Sequence, residues 1–230
     1  MTKPKKIELI TPKGTAIGYV TLNNPDTKYK PEGQFSVKLA FDDPEAPEVK
    51  AFVAKIEAAR DELFNNTVER LRYEGKGAAA KQLKQGDILR AELDSETGEE
   101  TGRYFVVAKM KATGERKDGT KWSQKPAYFN RTGHELKNPP MISGGSVLKL
   151  GVALNPFIME ASKEVAVSLR LQAVQIISLV SRGKRSASDF GFGEEEGDDV
   201  YDAESFSSVA GDDDDDGPTG SAPGADDDDL

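Results

Sequence analysis

The chain has 230 residues, 31 of them Lys or Arg and 40 Asp or Glu, with 37% hydrophobic residues and no cysteine. Lack of thiols excludes disulfides and thiolate metal sites, and no apolar run approaches the roughly 20 residues that span a bilayer. The net charge of −9 averages two regions of opposite sign: all 31 basic residues precede Ser186, together with 23 acidic ones, whereas 186–230 holds the other 17 acidic residues. The first region therefore carries about +8 and the second about −17. Met1-Thr-Lys-Pro-Lys-Lys6 leads into no signal-peptide core, so a cytoplasmic protein with no membrane partner is expected.

Thr15 to Leu22 has strand character, and Gln34 to Phe41 alternates with Phe35, Val37, Leu39 and Phe41 on one face. Asn23 to Gly33 between them reads as a loop. After Asp42-Asp43-Pro44, apolar residues Val49, Phe52, Val53, Ile56, Leu63 and Phe64 follow mostly helical spacing. Glu92 to Glu100 contains a turn at Thr97-Gly98, Arg103 to Lys111 is a strand, and Gly114 to Gly119 is a polar turn. Ser146 to Asn155 and Glu164 to Val180 read as strands on either side of a turn at Asn155-Pro156. The expected fold is mainly β: an OB-fold, that is a Greek-key β-barrel, with a helical insertion over 1–185. Residues 186–230 are expected to form a disordered acidic tail, since a Ser, Gly, Asp and Glu-rich segment buries too little apolar area to offset its ordering entropy.

A period of two divides each strand into a core face and a face left for a ligand. Tyr104, Val106, Ala108 and Met110 face the core, leaving Arg103, Phe105, Val107, Lys109 and Lys111 outward. Leu148, Leu150, Val152 and Leu154 face the core, leaving Lys149 beside Gly151 and Ala153. Val165, Val167, Leu169 and Leu171 leave Ser168, Arg170 and Gln172. Phe157 follows the proline, and the loops add Lys28-Tyr29-Lys30 and Lys121-Trp122 with Lys125. Cations among rings and small residues suit a surface that tracks phosphates and stacks bases. The expected DNA-binding set is thus Lys28, Tyr29, Lys30, Arg103, Phe105, Lys109, Lys111, Trp122, Lys149, Phe157 and Arg170. The competing readings are structural: solvated lysines, Phe105 beneath the helical insertion, and Trp122 or Phe157 as core caps.

The tail closes on Asp226-Asp227-Asp228-Asp229-Leu230, an acidic block with one apolar residue that suits a basic pocket with an apolar floor. Its alternatives are solubility alone and occupation of the chain's own basic groove.

Asn24-Pro-Asp-Thr-Lys-Tyr-Lys-Pro-Glu-Gly-Gln-Phe-Ser-Val-Lys-Leu39 resembles the early loop and strand of phage replication single-stranded DNA-binding proteins. Pro140-Met-Ile-Ser-Gly-Gly-Ser-Val-Leu-Lys-Leu150, Asn155-Pro-Phe157 and Val165 to Leu179 are similar to their last strands. The resemblance implies an OB fold and non-sequence-specific binding of single-stranded DNA in replication, recombination and repair. It also implies tail contacts with replication proteins (polymerase, helicase-primase, nuclease). Lys149 and Phe157 match family positions that contact DNA; departures are Gly151, where some relatives have a second lysine, and the terminal Leu230 in place of the commoner Phe. A homo-oligomer is admitted as a further partner, and no cofactor is implied.

An enzyme is the first rival. His134 is the only histidine, and Ile142-Ser-Gly-Gly-Ser146 lacks the Lys-Ser/Thr ending of a phosphate loop. Glu92, Asp94 and Glu96 alternate as a metal trio would, although such a trio is far more often a solvated hairpin edge. The second rival is an interaction protein whose acidic tail mimics DNA and occupies a host DNA-binding enzyme.

Overall fold

Alternating Phe35, Val37, Leu39 and Phe41 are all nearly inaccessible, so the strand they form, β3 (Gln34–Phe41), has one face committed to a core. The structure is a computed structural model that describes residues 7–94 and 96–180. Its strands are β1 (Glu8–Ile10), β2 (Gly14–Asp26), β3, β4 (Lys84–Gln85), β5 (Arg90–Leu93), β6 (Glu100–Lys111), β7 (Thr113–Glu115), β8 (Lys121–Ser123), β9 (Ala127–Phe129), β10 (Val147–Met159) and β11 (Glu164–Ser178). The order β10-β2-β3-β6-β11 closes on itself through β10–β11 pairing, which removes the open edges of the main sheet. β1 flanks β10, and β4 and β9 flank β11. The chain is a mainly β, OB-type barrel.

Between β3 and β4 lie α1 (Pro47–Tyr73) and α2 (Gly77–Gln82). Proline in the first turn of α1 has no backbone donor to lose there. The helix ends at Gly75, whose φ of 74° lets its N–H reach Arg72 while Lys76 N–H reaches Leu71. Val49, Phe52 and Ile56 are buried, and Phe52 meets Phe41 edge-on at 6.3 Å between centroids. The helix thus plugs the barrel with the apolar stripe its sequence displays, while Val53, Leu63 and Phe64 are only half-buried.

Four features stand out against expectation. β2 runs to Asp26, so the loop after it is shorter than 23–33. Residues 114–119 are no simple turn: β7 and β8 form a separate two-stranded ribbon around Arg116–Gly119. Asn155-Pro156 is no turn either, because β10 continues through it, with Pro156 opposite Val167. Leu154 N–H points to Ile7, and two residues on, the missing N–H of Pro156 falls on the same side, where no described strand pairs. The reversal comes instead at 160–163, with Lys163 at φ 56°. Finally, β11 has a bulge at Gln172: Val152 opposes Leu171 but Gly151 opposes Ala173. Its buried positions accordingly switch from Leu169 and Leu171 to Val174 and Ile176.

Behind β9, Pro126 and Tyr128 are buried, and the Tyr128 hydroxyl donates to the Leu22 carbonyl. Burial pushes the Tyr128 phenol up to about 12. Among the described residues no helix is long and apolar enough to cross a membrane. The tail from Ser186, with Asp226, Asp227, Asp228, Asp229 and Leu230, lies outside the described residues.

Candidate functional site

The alternation in β6 holds: Val106 and Ala108 are buried, and Phe105, Val107, Lys109 and Lys111 take the opposite face. Strand register then assembles outward residues from separate segments. Ser36 opposes Lys109, Lys109 lies beside Arg170, and Arg170 opposes Ala153, a row across β3, β6, β11 and β10. The next row contains Ile10, Gly151, Ala173 and Ala127, and the one beyond it Lys149, Gln175 and Phe129. A floor of small residues thus runs between Lys109 with Arg170 on one bank and Lys149 with Phe129 on the other. Small side chains let a polymer backbone approach the sheet; the flanking cations suit phosphates.

The expected cations divide by what satisfies them. Arg103 meets Glu92 at 2.6 Å and Asp42 at 3.8 Å, and Lys111 meets Glu32 at 3.2 Å. Among the described residues, Lys109, Arg170 and Lys149 form no such ion pair. Lys38, outward on β3, lies 5.3 Å from the Phe105 ring centroid, a cation–π contact. Phe105 is therefore partly covered by a lysine rather than by the helical insertion. Phe157 is 38% exposed and opposes Ala166 on the outward face of β10; it is not a core cap.

Two loop clusters, distant in sequence, meet at one end of β6. Glu32 connects them: its carbonyl accepts from Thr113 N–H at 3.0 Å and from the Thr113 hydroxyl at 2.7 Å, and Gly33 accepts from Ala112. Its own backbone amide, and then the Lys111 ammonium, hold the Glu32 carboxyl below the usual range. Lys28, Tyr29 and Lys30 therefore stand near the base of the β7–β8 ribbon. Tyr29 is 73% exposed, with Lys28 Nζ 5.2 Å from its ring centroid. Trp122 is half-buried, its ring packed against Gly114, its cross-strand partner. The ring is thus engaged with the ribbon and is not part of the barrel's core cluster.

Phe129, Gln175 and Arg90 on this face were not anticipated. Arg90 opposes Phe105, and Phe129 lies in a three-residue strand too short to announce itself by alternation. The only available signal was the Ala127-Tyr128-Phe129 triplet after a proline. The metal trio does not assemble: β5 ends at Leu93, Glu92 pairs with Arg103, and Asp94 caps the turn, accepting from Glu96 and Thr97 N–H at 2.9 Å each. Those amides, Thr97 first, hold the Asp94 carboxyl below its usual range. Among the described residues no group of acidic or histidine side chains is arranged to hold a metal ion.

A sequence profile of the family described as single-stranded DNA-binding protein, bacteriophage T7, matches residues 13–179. Among solved structures, the fold is similar to gp2.5, a single-stranded DNA-binding protein encoded by bacteriophage T7, with TM-score 0.62 and 22% identity over 84% of this chain and 98% of that one. The single-stranded DNA-binding protein of bacteriophage Enc34 in complex with single-stranded DNA matches at TM-score 0.43 and 15% identity, over 76% of this chain and 88% of that one. No curated protein matches the chain.

Proposed function

The chain belongs to the bacteriophage T7 single-stranded DNA-binding protein family, and from that membership we propose that it binds single-stranded DNA, without sequence preference, along the outward β3–β6–β11–β10 face. The observation that carries this site is the small-residue floor between cations with no carboxylate partner among the described residues. Lys109, Arg170 and Lys149 take phosphates; Phe105, Phe129 and Phe157 offer ring faces, each stacked base contributing roughly 1–3 kcal/mol. Lys28, Tyr29, Lys30 and Trp122 extend the path at the ribbon end, whereas Arg103 and Lys111 reach DNA only by loosening their ion pairs.

The role is binding rather than catalysis: protection of single strands during phage replication, recombination and repair in the host cytoplasm. The acidic 186–230 segment acts as the recruiting element, with Asp226 to Leu230 meeting polymerase, helicase-primase or nuclease.

Anisotropy of a labelled dT oligomer, titrated at several salt concentrations with the full chain and with 186–230 deleted, tests the reading. Expected is a steep fall of affinity with salt, about 0.7 in log–log slope per phosphate contact, and affinity kept or raised by the deletion. Absence of binding by the full chain and the shortened one in dilute buffer would refute it. Activity lost altogether with the tail would favour the DNA mimic.

A further inference from the structure

The row Lys149–Gln175–Phe129 borders a cleft of about 200 Å³ whose other walls include Ile10, Gly151 and Ala173. That is smaller than the ~300 Å³ at which clefts for drug-sized ligands begin, and its shape is set by the paired strands β1, β10, β11 and β9. Gly151 leaves the floor open: a Cβ there would stand 3.2 Å from the Ala173 Cβ. Ile10, 74% exposed, stands in the row next to Phe129, so a flat ring entering the cleft meets an apolar side chain and an aromatic one.

The polar groups in the cleft are not interchangeable. Gln175 Nε2 donates to the Asn130 carbonyl at 3.4 Å and to the Arg131 carbonyl at 3.2 Å. Two carbonyl acceptors admit only the amide nitrogen, which fixes the orientation of the side chain and leaves Oε1 as its acceptor for a ligand. The turn that supplies those carbonyls is itself braced, with Asn130 Oδ1 accepting from Thr132 and His134 N–H. Lys149 is the direct cross-strand partner of Gln175, and such partners stand about 5 Å apart at Cβ. One acceptor and one donor are thus presented side by side at the rim of a ring-sized cleft.

We propose that this cleft seats one unpaired nucleobase, stacked on Phe129, with its Watson–Crick edge held between Gln175 Oε1 and the Lys149 ammonium. The inference rests on the single-strand reading above and deepens it. Every base carries an N–H donor next to an acceptor on that edge: N3–H and O4 of thymine, N4–H and N3 of cytosine, N6–H and N1 of adenine, N1–H and O6 of guanine. A lone acceptor–donor pair therefore accepts all four. It rejects a base whose edge is already used in a duplex, because the cleft's own polar atoms would be left unpaired. Recognition without sequence preference and discrimination against paired DNA then come from the same two side chains.

The test uses the full chain and three oligomers of equal length: dT, dT with every thymine methylated at N3, and an abasic strand. Methylation removes the edge donor but keeps ring and charge, so binding is expected to weaken about fivefold, the equivalent of one neutral hydrogen bond. The abasic strand, which also loses stacking, should bind at least tenfold more weakly than dT, and Phe129→Ala should narrow that ratio. Equal affinity of the unaltered protein for dT and its N3-methylated form would overturn the proposal, as would an abasic ratio that Phe129→Ala leaves unchanged. Failure to bind dT at low salt would instead sink the single-strand reading beneath it.

Discussion

β6 carries two kinds of cation. Arg103 and Lys111 are spent on Glu92, Asp42 and Glu32, residues of β5 and of the segments flanking β3. Between them Lys109 stands beside Arg170 with no such partner among the described residues. All three point outward with the same periodicity, so alternation assigns them the same role. The difference lies in the neighbours that the fold delivers: Arg103 and Lys111 hold hairpins and loops together, and Lys109 between them is left to attract an anion.

Neutralising the middle gives the largest expected effect. Lys109→Ala, Arg170→Ala and Lys149→Ala combined should reduce the salt slope of dT binding by about 2, three contacts at roughly 0.7 each, with about a tenfold or greater loss of affinity near 0.1 M salt. Arg103→Met and Lys111→Met should change the slope by less than one contact each. Arg103→Met should instead lower thermal stability, because Glu92, with only 16% of its side chain exposed, loses the guanidinium 2.6 Å away. If Arg103→Met flattened the slope as much as Lys109→Met, the division between the two regions would fail.

Stability inside the barrel depends on Tyr128. Tyr128→Phe removes a buried donor from the Leu22 carbonyl and should cost about 1–2 kcal/mol at neutral pH. The native phenol titrates near 12 against about 10 in the unfolded chain. Between those values the unfolded state releases the proton first, so stability falls as pH rises from about 10 to 12. Chemical denaturation of both proteins across that window should show this component of the loss in wild type and not in Tyr128→Phe.

Much of this arrangement is legible in the amino-acid sequence. Gln34–Phe41 is matched residue for residue, the helix after Pro44 is present, and the outward faces of β6, β10 and the first half of β11 follow the period of two. What escaped was set by tertiary structure. Pro156 remains inside a strand because its missing donor faces an unpaired side. Gln172 shifts the parity of β11 because a bulge costs nothing in composition. β9, three residues long, has no period to display, yet it supplies Phe129. Ion pairing was equally invisible, since Glu32 and Lys111 are far apart in sequence.

Trp122 sharpens the comparison at the ribbon end. A Cβ on Gly114 would lie 2.7 Å from the Trp122 Cε2 atom, so Gly114→Ala must displace the indole. A shift in its emission is expected in the free protein, with dT affinity changing less than in the triple variant. An affinity loss equal to that of the triple variant would move the ribbon from the margin of the binding path to its centre.

The smallest effect is expected at the β5–β6 hairpin, on the other side of Arg103. Asp94 accepts from the amides of Glu96 and Thr97 and from the Thr97 hydroxyl, and those amides depress its carboxyl. A depressed folded value means that the contribution is present at neutral pH and is lost as pH falls through that value. Asp94→Ala should therefore lower the melting temperature slightly at pH 7, with the difference from wild type closing in acid. The salt slope for dT should stay as it was, because this turn supports the paired end of β6 and contributes nothing to the unpaired middle.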